Sequence, residues 1–312
     1  MSEERIPLLL NTGGGSAPAD AAAFAAELDD RLEAEALAGG ALADAIAREL
    51  AGGARTIAVA GGDGTMRTAA EAMLDSGATL AVAPGGTLNH FARRIGIENL
   101  EQARAALQGG AAELVPAGTF DNHIFLNTLT FGEYARVLRV RTRYRRFLGK
   151  WPAAGLGFAS VLLRQRWIDV TLELEDRIVT RRTPLVWVGM GWGSFPLVHE
   201  AAERRAQPDL EVAVLRAHGL AGAAFGLRLS ARLVRRELPV RDPALEIFHA
   251  RRITLHARRR LDATADGEIF RLAPPVEIAI RDRAVRVLVP PARPEAQEDQ
   301  DGCSGRPEED SR

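Results

Sequence analysis

Lysine is almost absent from this 312-residue chain: Lys150 is one of 40 basic residues, and the rest are arginine. No single arginine can therefore be taken as selected for phosphate. The one lysine lies between Gly149 and Trp151, which excludes a Gly-x-x-x-x-Gly-Lys-[Ser/Thr] phosphate loop. Cysteine is equally scarce. Cys303 alone closes no internal disulfide and builds no metal cluster, which fits a reducing compartment and argues against redox chemistry. A Gly-x-Ser-x-Gly elbow, a His-Glu-x-x-His pair and a Cys-x-x-Cys pair are missing too, and with them the common serine-hydrolase and zinc chemistries. The longest uncharged runs, Ser76 to Ala92 and Thr183 to Val198, fall short of the ~20 apolar residues of a spanning helix and are broken by Gly and Pro. Ile6 to Leu10 follows Glu3, Glu4 and Arg5 directly, without the long apolar region and cleavage site of a secretory signal. The expected location is the cytoplasm, with peripheral contact at the inner membrane face left open.

What is present is an ordinary globular composition, 46% hydrophobic and 26% charged, at a length that suits two domains. The net charge is −1, but Ala292 to Arg312 holds seven acidic and three basic residues, which leaves 37 basic against 34 acidic residues, a net +3, elsewhere. That terminal stretch is rich in Pro, Glu, Asp and Gly with no apolar period, so residues 292–312 are expected to be disordered.

The first third alternates short apolar runs with small-residue turns and helical periodicity. Ile6 to Leu10 reads as a strand, Asn11 to Ser16 as a glycine loop, and the Ala-rich stretch through about Leu37 as a helix. Ala41 to Leu50 is a further helix, Thr56 to Ala60 a buried strand, and Met66 to Leu74 a helix after Gly61-Gly62-Asp63-Gly64-Thr65. Thr79 to Ala83, Pro84-Gly85-Gly86-Thr87 and Leu88 to Arg94 repeat strand, turn and helix, and Asn99 to Gln108 adds another helix. This rhythm implies an α/β fold on a doubly wound parallel sheet, with ligands at the carboxyl ends of its strands. After about Gly118 the pattern becomes β-rich: Ile124 to Thr130, Asp169 to Leu174, Pro184 to Gly189, Leu210 to Leu215 and Arg252 to His256. Two helical stretches, Tyr134 to Arg164 and Leu220 to Glu237, interrupt it.

Between a buried strand and a helix, Gly61-Gly62-Asp63-Gly64-Thr65 has the makings of a phosphate cradle. Glycines let backbone N–H groups approach an anion, the helix N-terminus adds partial positive charge, and Asp63 can reach a metal ion or a hydroxyl. A glycine-rich connection in which Asp63 merely caps the helix would look the same locally. Two further loops, Asn11 to Ser16 and Gly85 to Asn89, occupy equivalent turns and can converge on the same sheet edge. Downstream, Asp266-Gly267-Glu268 can present two carboxylates, although Asp-Gly is also a common hairpin dipeptide.

Strand-GGDGT-helix followed by Pro84-Gly85-Gly86-Thr87-Leu88-Asn89-His90-Phe91-Ala92-Arg93 resembles the diacylglycerol kinase catalytic-domain family, specifically its soluble bacterial lipid kinases related to diacylglycerol and sphingosine kinases. Phe125-Leu126-Asn127 with Gly132, Leu148 to Ala153, Asp266-Gly267-Glu268 and Val285 to Pro290 keep that family's order, so the resemblance spans about Ile6 to Pro290. GGDGT itself is shared with NAD kinases and phosphofructokinases. The resemblance implies a nucleotide-binding α/β domain of residues 1–118 plus 276–291, and a β-rich, sandwich-like lipid domain of residues 119–275. It further implies transfer of an ATP phosphate to the hydroxyl of a diacylglycerol- or sphingoid-type lipid. Asn11, Thr12, Gly13, Gly14, Gly15, Gly61, Gly62, Asp63, Gly64, Thr65, Gly86, Thr87 and Asn89 would then hold ATP. Asp63 would also lie beside Mg²⁺, and Glu268 would be the general base, with Asp266 in the same catalytic turn. Phosphoryl transfer is mostly positioning and charge neutralisation, for which this kit suffices. The chain departs from the family at Thr68, where many relatives are acidic, at His90, and at Ala206 to Glu211, which lacks an Asp-Gly metal loop.

Arg136, Arg139, Arg141, Arg143, Arg145, Arg146 and Lys150 carry seven positive charges interleaved with Tyr144, Phe147 and Trp151. Arg136 to Trp151 can meet an anionic membrane surface or form a solvated helix face. No nucleic-acid-binding module accompanies it. A homodimer is left open. Two other functions compete with the lipid kinase: an NAD kinase-like enzyme, which usually shows an Asn-Glu pair that this sequence lacks, and a nucleotide- or lipid-binding protein without turnover.

Overall fold

The computed structural model describes residues 5–12, 21–38, 40–86, 89–132, 134, 135, 139, 167–191, 209–216 and 245–291. The expected helical stretches Tyr134 to Arg164 and Leu220 to Glu237 and the expected tail lie outside these residues, apart from positions 134, 135 and 139.

Strands β1 (Ile6–Asn11), β3 (Thr56–Gly61) and β4 (Thr79–Pro84) are almost wholly buried, as near-continuous apolar runs in a parallel sheet covered on both faces should be. With β2 (Leu32–Leu37) they form a parallel block in the order β2-β1-β3-β4. Helices α1 (Ala21–Leu28), α2 (Leu42–Ala51), α3 (Asp63–Ala72), α4 (His90–Arg94) and α5 (Leu100–Gly109) accompany it. The helix expected to run through Leu37 therefore ends at Leu28, and Leu32-Glu33-Ala34-Glu35-Ala36-Leu37 is the edge strand β2, paired in register from Ile6↔Leu32 to Asn11↔Leu37. Its residues are good helix formers, but pairing with the buried β1 overrides that preference. Asp29 fixes the break by accepting from the Arg31 backbone N–H and from its Nε, both at 2.9 Å.

The remaining strands are β5 (Ala111–Phe120), β6 (His123–Phe125), β7 (Thr128–Gly132), β8 (Ile168–Leu174), β9 (Ile178–Thr183), β10 (Leu185–Met190), β11 (Leu210–Leu215), β12 (Leu245–Ala250), β13 (Arg252–Ala257), β14 (Leu261–Ala265), β15 (Glu268–Leu272) and β16 (Val276–Val289). The strand expected over Ile124 to Thr130 is thus two strands, β6 and β7, parted at Leu126 and Asn127. Strand β16 joins the halves of the protein. Its first residues pair antiparallel with β13, Val287 meets Leu80 of β4 in parallel, and its other edge pairs with β5 through a bulge between Arg281 and Val285. One ten-stranded sheet results, and the division expected at residue 118 falls inside β5. A six-stranded antiparallel sheet, β12-β11-β10-β7-β14-β15, forms a second layer. Phe120, Phe125, Leu129, Phe131, Val186, Val212, Ile253 and Ile278 pack in the core shared by this sheet and the antiparallel part of the first, while a second core lies around β1, β3 and β4.

The tip of the β14–β15 hairpin is fastened inward. Asp266 (φ 47°) and Gly267 (φ 93°) make a two-residue turn of the kind that right-handed strand twist favours. The Asp266 carboxylate accepts from the backbone N–H groups of Leu126 at 2.6 Å and of Asn127 and Thr128 at 2.9 Å each. Burial pushes this carboxyl above its ordinary value, the three N–H bonds pull it back, and neighbouring Asp63 pushes it further up.

Asp266→Ala should lower the unfolding free energy by about 3–5 kcal/mol in urea titrations, because it strands several donors at about 1–3 kcal/mol each. The folded carboxyl titrates above its unfolded value of about 3.9. Between those values the folded state binds the extra proton, so this contribution to stability grows as pH falls into the window and is lost as pH rises through the folded value. The stability of the wild type relative to Asp266→Asn should therefore increase from about pH 7 to about pH 4; a decrease would contradict the stated shift.

Candidate active site

The segment read as a turn before a helix is itself the first turn of one: α3 begins at Asp63, with Gly62 as an extended N-cap. The N–H groups of Asp63, Gly64 and Thr65 therefore have no intrahelical acceptor, and they open at the carboxyl end of β3. Asp63 does not cap its own helix. Its Oδ1 accepts from the Phe91 backbone N–H at 3.0 Å and from Asn127 Nδ2 at 3.3 Å, tying α3 to α4 and to the link between β6 and β7.

The glycines have packing reasons of their own. A Cβ at Gly61 would fall 2.6 Å from the Thr65 side chain, and one at Gly86 would fall 2.6 Å from Gly62 Cα. The loops after β3 and β4 are thereby pressed together, with Gly85 N–H donating to the Gly61 carbonyl at 2.9 Å. Asn89 adopts a left-handed conformation (φ 49°), which asparagine tolerates. It closes the second loop by accepting from Gly86 N–H at 2.9 Å and donating to Gly86 O at 3.1 Å. Asn11 donates to Thr65 Oγ1 at 3.1 Å, so the β1 loop reaches the same helix turn. Thr12 is turned away, its hydroxyl donating to Leu37 O at 2.8 Å. Gly13, Gly14, Gly15 and Thr87 lie outside the described residues.

Glu268 reaches this turn from the second sheet. A Cβ at Gly64 would come 3.6 Å from the Asp266 carbonyl and 3.7 Å from Glu268 Oε1. The hairpin therefore stands directly over the start of α3, bringing Asp63, Gly64, Thr65, Asp266 and Glu268 together. The Asp266 carboxylate, engaged with three backbone donors, orients this assembly rather than facing outward as a surface turn would.

Several contributors are not apparent from the motifs. Arg94 donates to the carbonyls of Leu126 and, at 3.3 Å, Pro116, and it lies 5.2 Å from the Phe91 ring centroid. Burial lowers its guanidinium to about 10, with Asp266 and Asp63 acting in the opposite sense, so it stays charged at neutral pH. Arg67 ion-pairs with Glu71 at 2.7 Å and with Glu268. The Arg67–Glu71 spacing of four on a helix is a signal readable in sequence, whereas the bond to Glu268 crosses 201 positions.

No group of three or more His, Cys, Asp or Glu side chains gathers as a metal site among the described residues. The donors nevertheless suit Mg²⁺, which keeps several waters and needs only one or two carboxylates beside phosphate oxygens. Both described bonds to Asp63 fall on Oδ1, leaving Oδ2 for such a cation. No described helix is long and apolar enough to cross a membrane.

The family model for the diacylglycerol kinase catalytic domain matches residues 6–120. A Pseudomonas aeruginosa protein named probable lipid kinase YegS-like is 40% identical over 90 residues, covering 28% of this chain and 30% of the relative. The match thus spans less than a third of that relative's length. A diacylglycerol kinase of Bacillus subtilis is 26% identical over 251 residues, covering 78% of this chain and 80% of the relative. The fold is that of a solved diacylglycerol kinase from Bacillus anthracis, with TM-score 0.65 and 18% identity over 94% of this chain and 99% of that one. Residues 6–120 match the model of the diacylglycerol kinase catalytic-domain family, within a chain that has the two-domain fold of the solved kinase.

Proposed function

We propose that the chain is an ATP-dependent lipid kinase that transfers the γ-phosphate to a hydroxyl of a diacylglycerol- or sphingoid-type lipid. The observation that carries this reading is the seat of Glu268: a carboxylate from the antiparallel sheet stands against Gly64 in the first turn of α3. Donors for an anion and an acceptor for a proton thus face each other across the two halves of the protein.

The open N–H groups of Asp63, Gly64 and Thr65, with the partial positive charge of the helix end, would hold phosphate oxygens. Gly61, Gly62 and Gly86 allow the loops to pack closely enough to keep those groups aligned. As the lipid oxygen bonds to the γ-phosphorus and the bond to the ADP oxygen breaks, Glu268 would take the hydroxyl proton. Mg²⁺ at Asp63 would supply charge neutralisation on the phosphates. An anionic bilayer would present the lipid to Arg136 to Trp151. Of that segment Arg139 is described, bound to Asp262 at 2.9 Å, and Arg258, Arg259 and Arg260, directly before β14 in the chain, are exposed.

Incubation with labelled ATP, Mg²⁺ and micelles of diacylglycerol or sphingosine should move label into lipid. ATP binding with no transfer to any lipid would instead support a binding protein without turnover. Asp63→Asn and Glu268→Gln should each lower transfer by about 100-fold or more in a protein that still folds, Glu268→Gln with a lowered unfolding midpoint because it removes one of the two carboxylates paired with the buried Arg67. Near-wild-type rates in the Glu268 variant would move the proton acceptor elsewhere, with Asp63 first in line.

A further inference from the structure

We infer that Arg67 is a positioning residue that fixes the Glu268 carboxylate over the first turn of α3; the inference rests on the role proposed above for Glu268. The Arg67 side chain is 6% exposed, against 45% for Glu268. A buried guanidinium is unfavourable unless its charge and its donors are matched. Here the match is incomplete: Nη1 and Nη2 reach Glu71 and Glu268, but Nε is buried without a hydrogen-bond partner among the described residues. An apolar side chain at this place would avoid that cost, so stability alone does not account for an arginine.

The surroundings aim the fork. Glu71 is itself held by His123 Nδ1 at 2.9 Å and by the Ile124 backbone N–H at 3.2 Å. The guanidinium lies 5.3 Å from the centroid of the Phe270 ring, and that ring meets Phe120 edge-on at 5.2 Å. With Glu71 and Phe270 fixing its plane, Arg67 presents Nη2 to Glu268 Oε2 in one orientation. Thr68, one turn along from Gly64, adds a weaker donor: its hydroxyl lies 3.3 Å from Glu268 Oε1 while also donating to Gly64 O at 3.1 Å. Without Arg67, a half-exposed glutamate at the start of β15, next to a glycine turn, would keep only that shared side-chain hydrogen bond among the described residues. Both carboxylate oxygens are held, yet each retains a lone pair for a substrate hydroxyl.

The test compares Arg67→Gln, Arg67→Lys and the wild type in lipid phosphorylation, with a crystal structure of Arg67→Gln. Expected are a fall in kcat of about 10–100-fold, as misplacement by an ångström can produce, KM values for ATP and lipid that barely change, partial recovery in Arg67→Lys, and a Glu268 carboxylate displaced from α3. An unchanged kcat, with or without loss of stability, or an effect confined to KM, would overturn the inference. So would a Glu268 that stays in place in Arg67→Gln. If Arg67→Gln does not fold, Arg67→Lys decides, since lysine keeps the charge without the planar fork and a kcat equal to wild type would again overturn it. Should the wild type phosphorylate no lipid, the proposed function falls, and the crystallographic position of Glu268 still decides the positioning claim.

Discussion

Three consecutive backbone N–H groups, those of Leu126, Asn127 and Thr128, converge on the single carboxylate of Asp266. They lie where the chain passes from β6, in the ten-stranded sheet, to β7, in the six-stranded one. At such a passage the backbone leaves one ladder before joining the next, and its donors need other partners. Asp266 supplies them from the β14–β15 turn, and the same bonds bring that turn down on α3. Asn127 then reaches Asp63, and Glu268 comes to stand beside Gly64. Strand β16 joins the two parts of the ten-stranded sheet, because it pairs with β4 of the parallel block at one end and with β13 of the antiparallel part at the other.

Around this anchor polar and charged side chains are linked in series. His123, Glu71, Arg67 and Glu268 form a continuous sequence of contacts running from β6 through α3 to β15. Arg94, from α4, joins the same region by bonding the carbonyls of Leu126 and Pro116 near the carboxylates of Asp63 and Asp266. Each charge is thus held by a group on another element. A site of this kind resists the rotamer freedom that long charged side chains have at a surface, and that rigidity is what positioning catalysis requires.

Much of the parallel half was legible because burial on both faces forces near-continuous apolar runs, as in Ile6 to Leu10, Thr56 to Ala60 and Thr79 to Ala83. Strand β2 was not, since its Leu, Glu and Ala residues favour a helix and only its pairing with β1 makes it a strand. Asp266-Gly267 was readable as a hairpin turn, but the inward direction of Asp266 depends on amides 138 to 140 positions away. The glycines of the β3 and β4 turns were readable as permitting close backbone approach. Part of that approach is between the two loops themselves. Arg67 escaped for a compositional reason: in a chain whose basic residues are nearly all arginine, no individual arginine stands out until its burial and partners are known.

The central claim is that the first turn of α3, beneath the Glu268 hairpin, holds the phosphates. Hydrogen–deuterium exchange with and without a non-hydrolysable ATP analogue and Mg²⁺ tests it most directly. Protection is predicted at the amides of residues 62–65, with a smaller gain at 85, 86 and 89. Protection confined to other surfaces, such as the polar cleft lined by Thr119, Arg252 and Glu277, with residues 62–65 exchanging as before, would contradict it.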